Sequence, residues 1–134
     1  SGPTLKACKK YVVKNNLSKH IIFENEIVHE KLNDFYNSID LFVLPSYYEA
    51  LGCVYLESWA TNTPFVGIEG QGISELISNK EKKKILAEEQ SAESLKEKIL
   101  IAYNNRRSYP FDEKYDMKNT ICDFLALKIF EKYD

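Results

Sequence analysis

Residues 41–75 read LFVLPSYYEALGCVYLESWATNTPFVGIEGQGISE, and the changes of hydrophobic period within them decide the fold. Residues 41–44 are an unbroken apolar run stopped by Pro45 and Ser46; a strand apolar on both faces belongs inside a parallel sheet. A turn holding Glu49 and Gly52 follows, then a predicted helix over 53–60, then a second apolar strand over 64–68 that runs into the flexible Glu69, Gly70, Gln71 and Gly72. Strand, helix and strand at this spacing form a βαβ unit.

Outward from this unit the alternation continues. Upstream, Leu32, Phe35, Tyr36 and Ile39 mark an amphipathic helix, Ile21, Ile22 and Phe23 form a short apolar run read as a strand, and Leu5, Cys8, Tyr11 and Val12 fall on one face of a first helix that fades at Asn15 and Asn16. Downstream, a short helix begins near Ile73, the charge run from Lys80 to Lys84 reads as a solvated turn, and 84–87 is a last short strand. Ser91 is a plausible N-cap for a helix whose buried face is Leu95, Ile99, Ala102 and Tyr103, and a terminal helix carries Met117, Ile121, Phe124 and Leu125. With no repeat, low-complexity tract or linker, 1–134 reads as one α/β domain.

Composition narrows the function. Of 134 residues 44% are apolar and 28% charged, which excludes a disordered tail and allows a core without disulfides or metals. A formal charge of −2 gives no basic field for a nucleic acid backbone, so nucleic acid is not an expected partner. Cys8, Cys53 and Cys122 form no CxxC pair, which argues against a disulfide framework or a zinc knuckle and suits a reducing cytoplasm. No apolar run approaches the ~20 residues of a membrane span, and the first residues lack the zones of a signal peptide.

In parallel α/β sheets ligands sit beyond the carboxyl ends of the strands, which directs attention to the exits at 45–52 and 69–72. Glu49 and Glu57 stand eight positions apart, one in the turn and one more than a turn inside the helix. Between them Gly52 permits close backbone approach, and the free amides near Leu51, Gly52 and Cys53 present a positive dipole suited to a diphosphate. A carboxylate such as Glu57 is acceptor-only at neutral pH and can take hydrogen bonds from a vicinal diol such as ribose; Glu49 would face whatever hangs from the phosphates. The competing reading of each glutamate is a solvated charge near a helix start, and of Gly70 and Gly72 mere loop punctuation. His29 and Glu30 begin an HExxH pattern that fails at Asn33, Ser46 lacks a GxSxG elbow, and no DxD pair offers a metal anchor. Trp59, Tyr47 and Tyr48 read as packing groups with polar tips.

These residues carry a resemblance. The stretch resembles the donor-binding region of retaining glycosyltransferases with the GT-B fold, family 4 in particular: a strand ending in Pro-Ser, then Glu, seven residues and Glu, a small-residue segment like Ala60 to Pro64, and a Gly-rich loop leading to a Glu like Glu75. Gly2-Pro3, His20 to Asn25 and the Tyr36 to Leu44 segment follow the same order. Ala50 and Leu51 stand where the family usually has Gly and an aromatic residue, and Asn25 replaces a usual Gly. The resemblance implies a Rossmann-like parallel sheet flanked by helices, the C-terminal half of a GT-B fold. It implies a nucleoside diphosphate sugar site with Glu57 on the ribose, the amides of Leu51, Gly52 and Cys53 near the phosphates, Ser46 at the strand exit, Ile27 by the base through its backbone, and Glu49 as the catalytic carboxylate contacting the transferred sugar.

For the parent enzyme it further implies transfer with retention to a glycan or lipid-linked acceptor, as in polysaccharide biosynthesis, with no cofactor and no metal. The family's diphosphate-neutralising Arg and Lys, its first strands and the acceptor-binding N-terminal domain are expected to precede this chain, which alone would bind weakly and be inactive. A strand at Ile21 would then lack its usual neighbour. The expected location is the cytoplasm or the inner face of the membrane, where the Lys80, Lys82, Lys83 and Lys84 cluster offers a peripheral contact with anionic headgroups. The alternative function is a non-catalytic nucleotide-sugar-binding or scaffold module that serves a partner chain.

Overall fold

A computed structural model describes residues 2–105, 115, 116, 118 and 119, and its contacts group the chain into two compact units, Ser1–Leu32 and Asn33–Asp134. In the first unit, α1 spans Leu5–Lys14 and buries only Val12; Cys8 is exposed and Tyr11 is 65% exposed, so the buried face is narrower than the apolar spacing predicts. The helix ends where Asn15 caps the Tyr11 carbonyl through Nδ2 at 2.8 Å and Asn16 turns into the left-handed region at φ 57°, a conformation Asn tolerates better than most side chains. The run Ile21 to Phe23 is not a strand, a correction to the sequence reading: it pairs with no described segment, and Ile22 is 81% exposed. Apolar residues alone do not make a strand, because the ladder needs a partner. A 3-10 turn at His29–Lys31 closes this unit.

The second unit carries the sheet. Its order is α2 (Leu32–Ser38, from Asn33 on), β1 (Phe42–Val43), α3 (Cys53–Ala60), β2 (Phe65–Ile68), α4 (Ile73–Leu76), α5 (Asn79–Ile85), β3 (Leu86–Ala87) and α6 (Ala92–Asn104). The strands are parallel in the order β1-β2-β3, with Phe42 opposite Phe65, Val43 opposite Val66, Gly67 opposite Leu86 and Ile68 opposite Ala87. This is the Rossmann-like α/β arrangement the sequence implies. All four residues of the central β2 are buried, as a strand covered on both faces requires. Tyr55, Phe65, Val66, Ile73, Ile77, Ile85, Leu86 and Ala102 form the core, and each buried Val, Leu or Ile side chain among them contributes about 1.5–3 kcal/mol.

Tyr55 organises the sheet's α3 side. It is fully buried, its ring lies 5.0 Å from that of Phe65 and 6.1 Å from that of Phe42, and its hydroxyl donates to the Leu44 carbonyl at 2.8 Å. The phenol crosses β2 at Gly67, where a Cβ would lie 3.0 Å from the Tyr55 oxygen. The missing side chain at Gly67 thus opens the path by which α3 satisfies the last carbonyl of the β1 run.

Two expectations downstream are corrected. The Lys80–Lys84 run is not a turn but the body of α5: Ser78 caps it by accepting from the Glu81 amide, and the Ser78 and Glu81 side chains bond at 2.7 Å, a variant of the capping box. The last strand begins at Leu86, two residues later than predicted. Ser91 does cap α6, its hydroxyl accepting from the Ser94 amide at 3.1 Å, and Ala102 is buried with Leu95 and Ile99 packed partly against the core. Tyr103, however, is 44% exposed, because one residue past Ala102 is about 100° further round the helix. Met117, Ile121, Phe124 and Leu125 lie outside the described residues.

Candidate functional site

At the exit of β1 the chain passes Pro45 and the half-buried Ser46, and Glu49 is held by its own backbone. Its amide donates to Gln71 Oε1 at 2.9 Å, and its carbonyl accepts from the Gly72 amide at 3.2 Å. The exits of β1 and β2 are therefore tied together by two bonds around one residue. Gln71 is 8% exposed and its Nε2 donates to Glu89 Oε1 at 3.3 Å, so the segment read as a flexible loop is anchored on both sides. Gly72 sits so close to Ala50 that a Cβ would fall 1.5 Å from the Ala50 carbonyl oxygen, which is the reason a glycine stands there.

Gly52 then turns the chain into α3. It is buried at the helix N-cap with φ 71° and ψ 71°, and its amide neighbours on the C-terminal side, Cys53 and Val54, open the first turn, where helix geometry supplies no intrahelical acceptor. Among the described residues no side chain caps this end, and its first turn carries no acidic residue, so the positive end of the dipole is not neutralised from within the helix. A side chain at 52 would be strained by φ and would strike the Tyr55 ring at 2.7 Å and Glu49 Cγ at 2.8 Å. Leu51 and Cys53 on either side are exposed.

Glu49 and Tyr55 are electrostatically coupled. Burial first, and the Glu49 charge second, push the Tyr55 phenol up to about 12. Tyr36 is likewise pushed up to about 12, by burial, by its bond to Glu57 and by that residue's charge. A phenol whose pKa is higher in the folded than in the unfolded chain contributes stability that is full below the unfolded value near 10 and is lost as pH rises through about 12. Urea unfolding is thus expected to show midpoints that are flat from pH 7 to 9 and fall steeply from pH 10 to 12. In Tyr55→Phe the fall should be shallower, and an equal fall in both proteins would contradict this account.

Glu57 lies one turn into α3, half-buried, and its Oε2 accepts from the Tyr36 hydroxyl at 3.0 Å. A carboxylate accepts on both oxygens, and this bond engages one of them. The structure thus brings Glu49, Gly52, Tyr55 and Gln71 together and joins Glu57 to Tyr36. Ile27, half-buried, lies in the first unit. A cavity of about 290 Å³ opens beside the strand exits between Pro45, Tyr47, Ile68, Gln90, Ser91 and Leu95, and among the described residues none of the predicted site residues lines it. Tyr36 and Gln71 were not singled out by the sequence as site residues. Their partners stand 21 and 22 positions away, and no local spacing encodes such a contact.

Residues 1–119 match the family described as glycosyl transferases group 1. The chain belongs to that family. Among curated relatives it is 33% identical over 104 residues to the glycosyltransferase MJ1178 of Methanocaldococcus jannaschii, an overlap that takes in 78% of this chain and 29% of the relative. It is 37% identical over 70 residues to the lipopolysaccharide core biosynthesis mannosyltransferase LpsB of Rhizobium meliloti, covering 52% of this chain and 19% of that protein. It is 35% identical over 74 residues to mannosylfructose-phosphate synthase of Agrobacterium fabrum, covering 55% and 16%. The chain thus spans less than a third of the length of these relatives. No solved structure matches it. Sugar transfer is the chemistry of the group 1 family, and among the described residues no helix of this member is long and apolar enough to cross a membrane.

Proposed function

We propose that this chain is the donor-binding part of a retaining glycosyltransferase that moves a hexose from a nucleoside diphosphate sugar to a glycan or lipid-linked acceptor. One observation carries the reading: the two glutamates of the E-x7-E pattern flank a left-handed Gly52 that opens an uncapped helix. The diphosphate rests on the amides around Leu51, Gly52 and Cys53, Glu57 takes the ribose diol, and Glu49 contacts the sugar, with Ser46 at the strand exit. The parent protein's share of the chemistry is electrostatic positioning, the leaving phosphate taking the proton of the incoming hydroxyl. No metal or cofactor forms part of the proposal. Two relatives carry mannosyl in their names, which makes a nucleoside diphosphate mannose the first donor to try.

Binding by this chain alone is weak in this reading, because two carboxylates oppose the diphosphate and helix-terminal amides offset only about 0.3–2 kcal/mol. Titration with GDP- and UDP-sugars under amide NMR is expected to give localised shifts over 51–57 at millimolar ligand, and Glu57→Ala to abolish them. No localised response to either nucleotide would overturn the donor-site reading in favour of a scaffold module acting with a partner chain.

A further inference from the structure

We propose that Tyr36 is a positioning residue for Glu57: its hydroxyl holds one carboxylate oxygen so that the other is presented to a vicinal diol. This inference rests on the donor-site reading above and adds to it a residue that the E-x7-E pattern does not contain.

Three restraints fix Tyr36 at both ends. The residue is 2% exposed, its ring lies 5.6 Å from Phe42 in an edge-on arrangement at 81° and 5.4 Å from Phe35, and its carbonyl accepts from the Thr63 hydroxyl at 2.8 Å. The α3 end of the contact is fixed through the same threonine. Ser58, the residue after Glu57, is fully buried and donates to the Thr63 carbonyl at 3.0 Å, while Thr61 donates to the Ser58 carbonyl at 2.7 Å and its Oγ1 lies 3.1 Å from Thr63 Oγ1. A closed circuit results: Thr63 binds Tyr36, the Tyr36 phenol binds Glu57, and Glu57's neighbour Ser58 binds Thr63.

A glutamate has three rotatable side-chain bonds, and holding it in one geometry costs conformational entropy at the moment of binding unless the fold has already paid it. The circuit removes that cost at the oxygen next to Tyr36. The phenol, pushed up to about 12 first by burial, stays a donor across the neutral range. If Tyr36 served only to satisfy a buried hydroxyl, its loss would change stability and would not change how the chain tells ribose from deoxyribose.

The test uses the full chain with GDP, UDP and their 2′-deoxy forms, in wild type, Tyr36→Phe and Glu57→Gln. Wild type is expected to prefer the ribonucleotide, and Tyr36→Phe to weaken ribonucleotide binding about five- to tenfold, the size of one hydrogen bond, with a much smaller loss for the deoxy form, so that the preference narrows. A preference that survives in Tyr36→Phe but is lost in Glu57→Gln would overturn the role of Tyr36 and leave the donor site standing. No binding of any nucleotide by wild type would overturn both. Should Tyr36→Phe fail to fold, the wild-type protein labelled at tyrosine Cζ supplies the readout: the Tyr36 signal is expected to shift on adding nucleotide, and an unmoved signal while the 51–57 amides respond would overturn the inference.

Discussion

Gly72→Ala is expected to lower the unfolding free energy by about 4 kcal/mol or more, a drop in melting temperature of roughly 15 °C for a chain of this size. The backbone at Gly72 has φ −54° and ψ −33°, which any residue adopts, so none of this cost is conformational. It is steric: a methyl group would lie 1.5 Å from the Ala50 carbonyl oxygen and 2.5 Å from its carbon. Relieving that overlap means parting the two loops, which breaks the Gly72–Glu49 bond and strains the bond from the Glu49 amide to Gln71. Gly70→Ala provides the contrast. There the only neighbour within 4 Å among the described residues is Glu89 Oε1 at 3.9 Å, and the cost comes from φ 78°, about 1–2 kcal/mol. Thermal unfolding of the two variants should separate them widely, and similar melting temperatures would contradict the close packing of the loops.

Glu49→Ala is expected to cut turnover about 100-fold in an enzyme that carries the remaining length of the relatives, the loss that accompanies an unpositioned reacting group. The variant should leave nucleotide binding nearly intact, because in the donor-site reading the nucleotide is held by Glu57 and the α3 amides while Glu49 meets the sugar. The chain offers an independent check on the position of Glu49. Its charge helps to raise the Tyr55 phenol, so Glu49→Ala should let Tyr55 ionise below its value of about 12, burial remaining as the larger cause. Full turnover in the variant would remove Glu49 from the mechanism, and an unmoved Tyr55 titration would contradict its place beside that ring.

The parts of this protein that were legible in the sequence are those written in local chemistry. The bounds of α3 follow from Gly52 and from the apolar residues after it, the stop of β1 from Pro45, the cap of α6 from Ser91. At α5 a local signal was present and not used: Ser78 and Glu81 stand at capping-box spacing, and the four lysines around them read as a solvated turn. At Ile21 to Phe23 the composition spoke for a strand, but strand formation depends on a partner that composition does not encode. The candidate site divides the same way. Glu49, Gly52 and Glu57 are legible as a spacing, whereas Gln71 and Tyr36 act through contacts made only after the chain has folded back on itself.

The phenol of Tyr55 has a consequence for how this fold tolerates change. By taking the Leu44 carbonyl it acts as a full stop at the end of the β1 run, much as a serine does at the head of a helix. Lengthening the strand by a residue would turn the carbonyl at that place toward the other side and part the phenol from its acceptor. Insertions drifting into this part of the gene should therefore be selected against before Pro45 and tolerated after it. The spot where the chain leaves the sheet, and with it the launch point of the turn to Glu49, stays put while the rim around it varies.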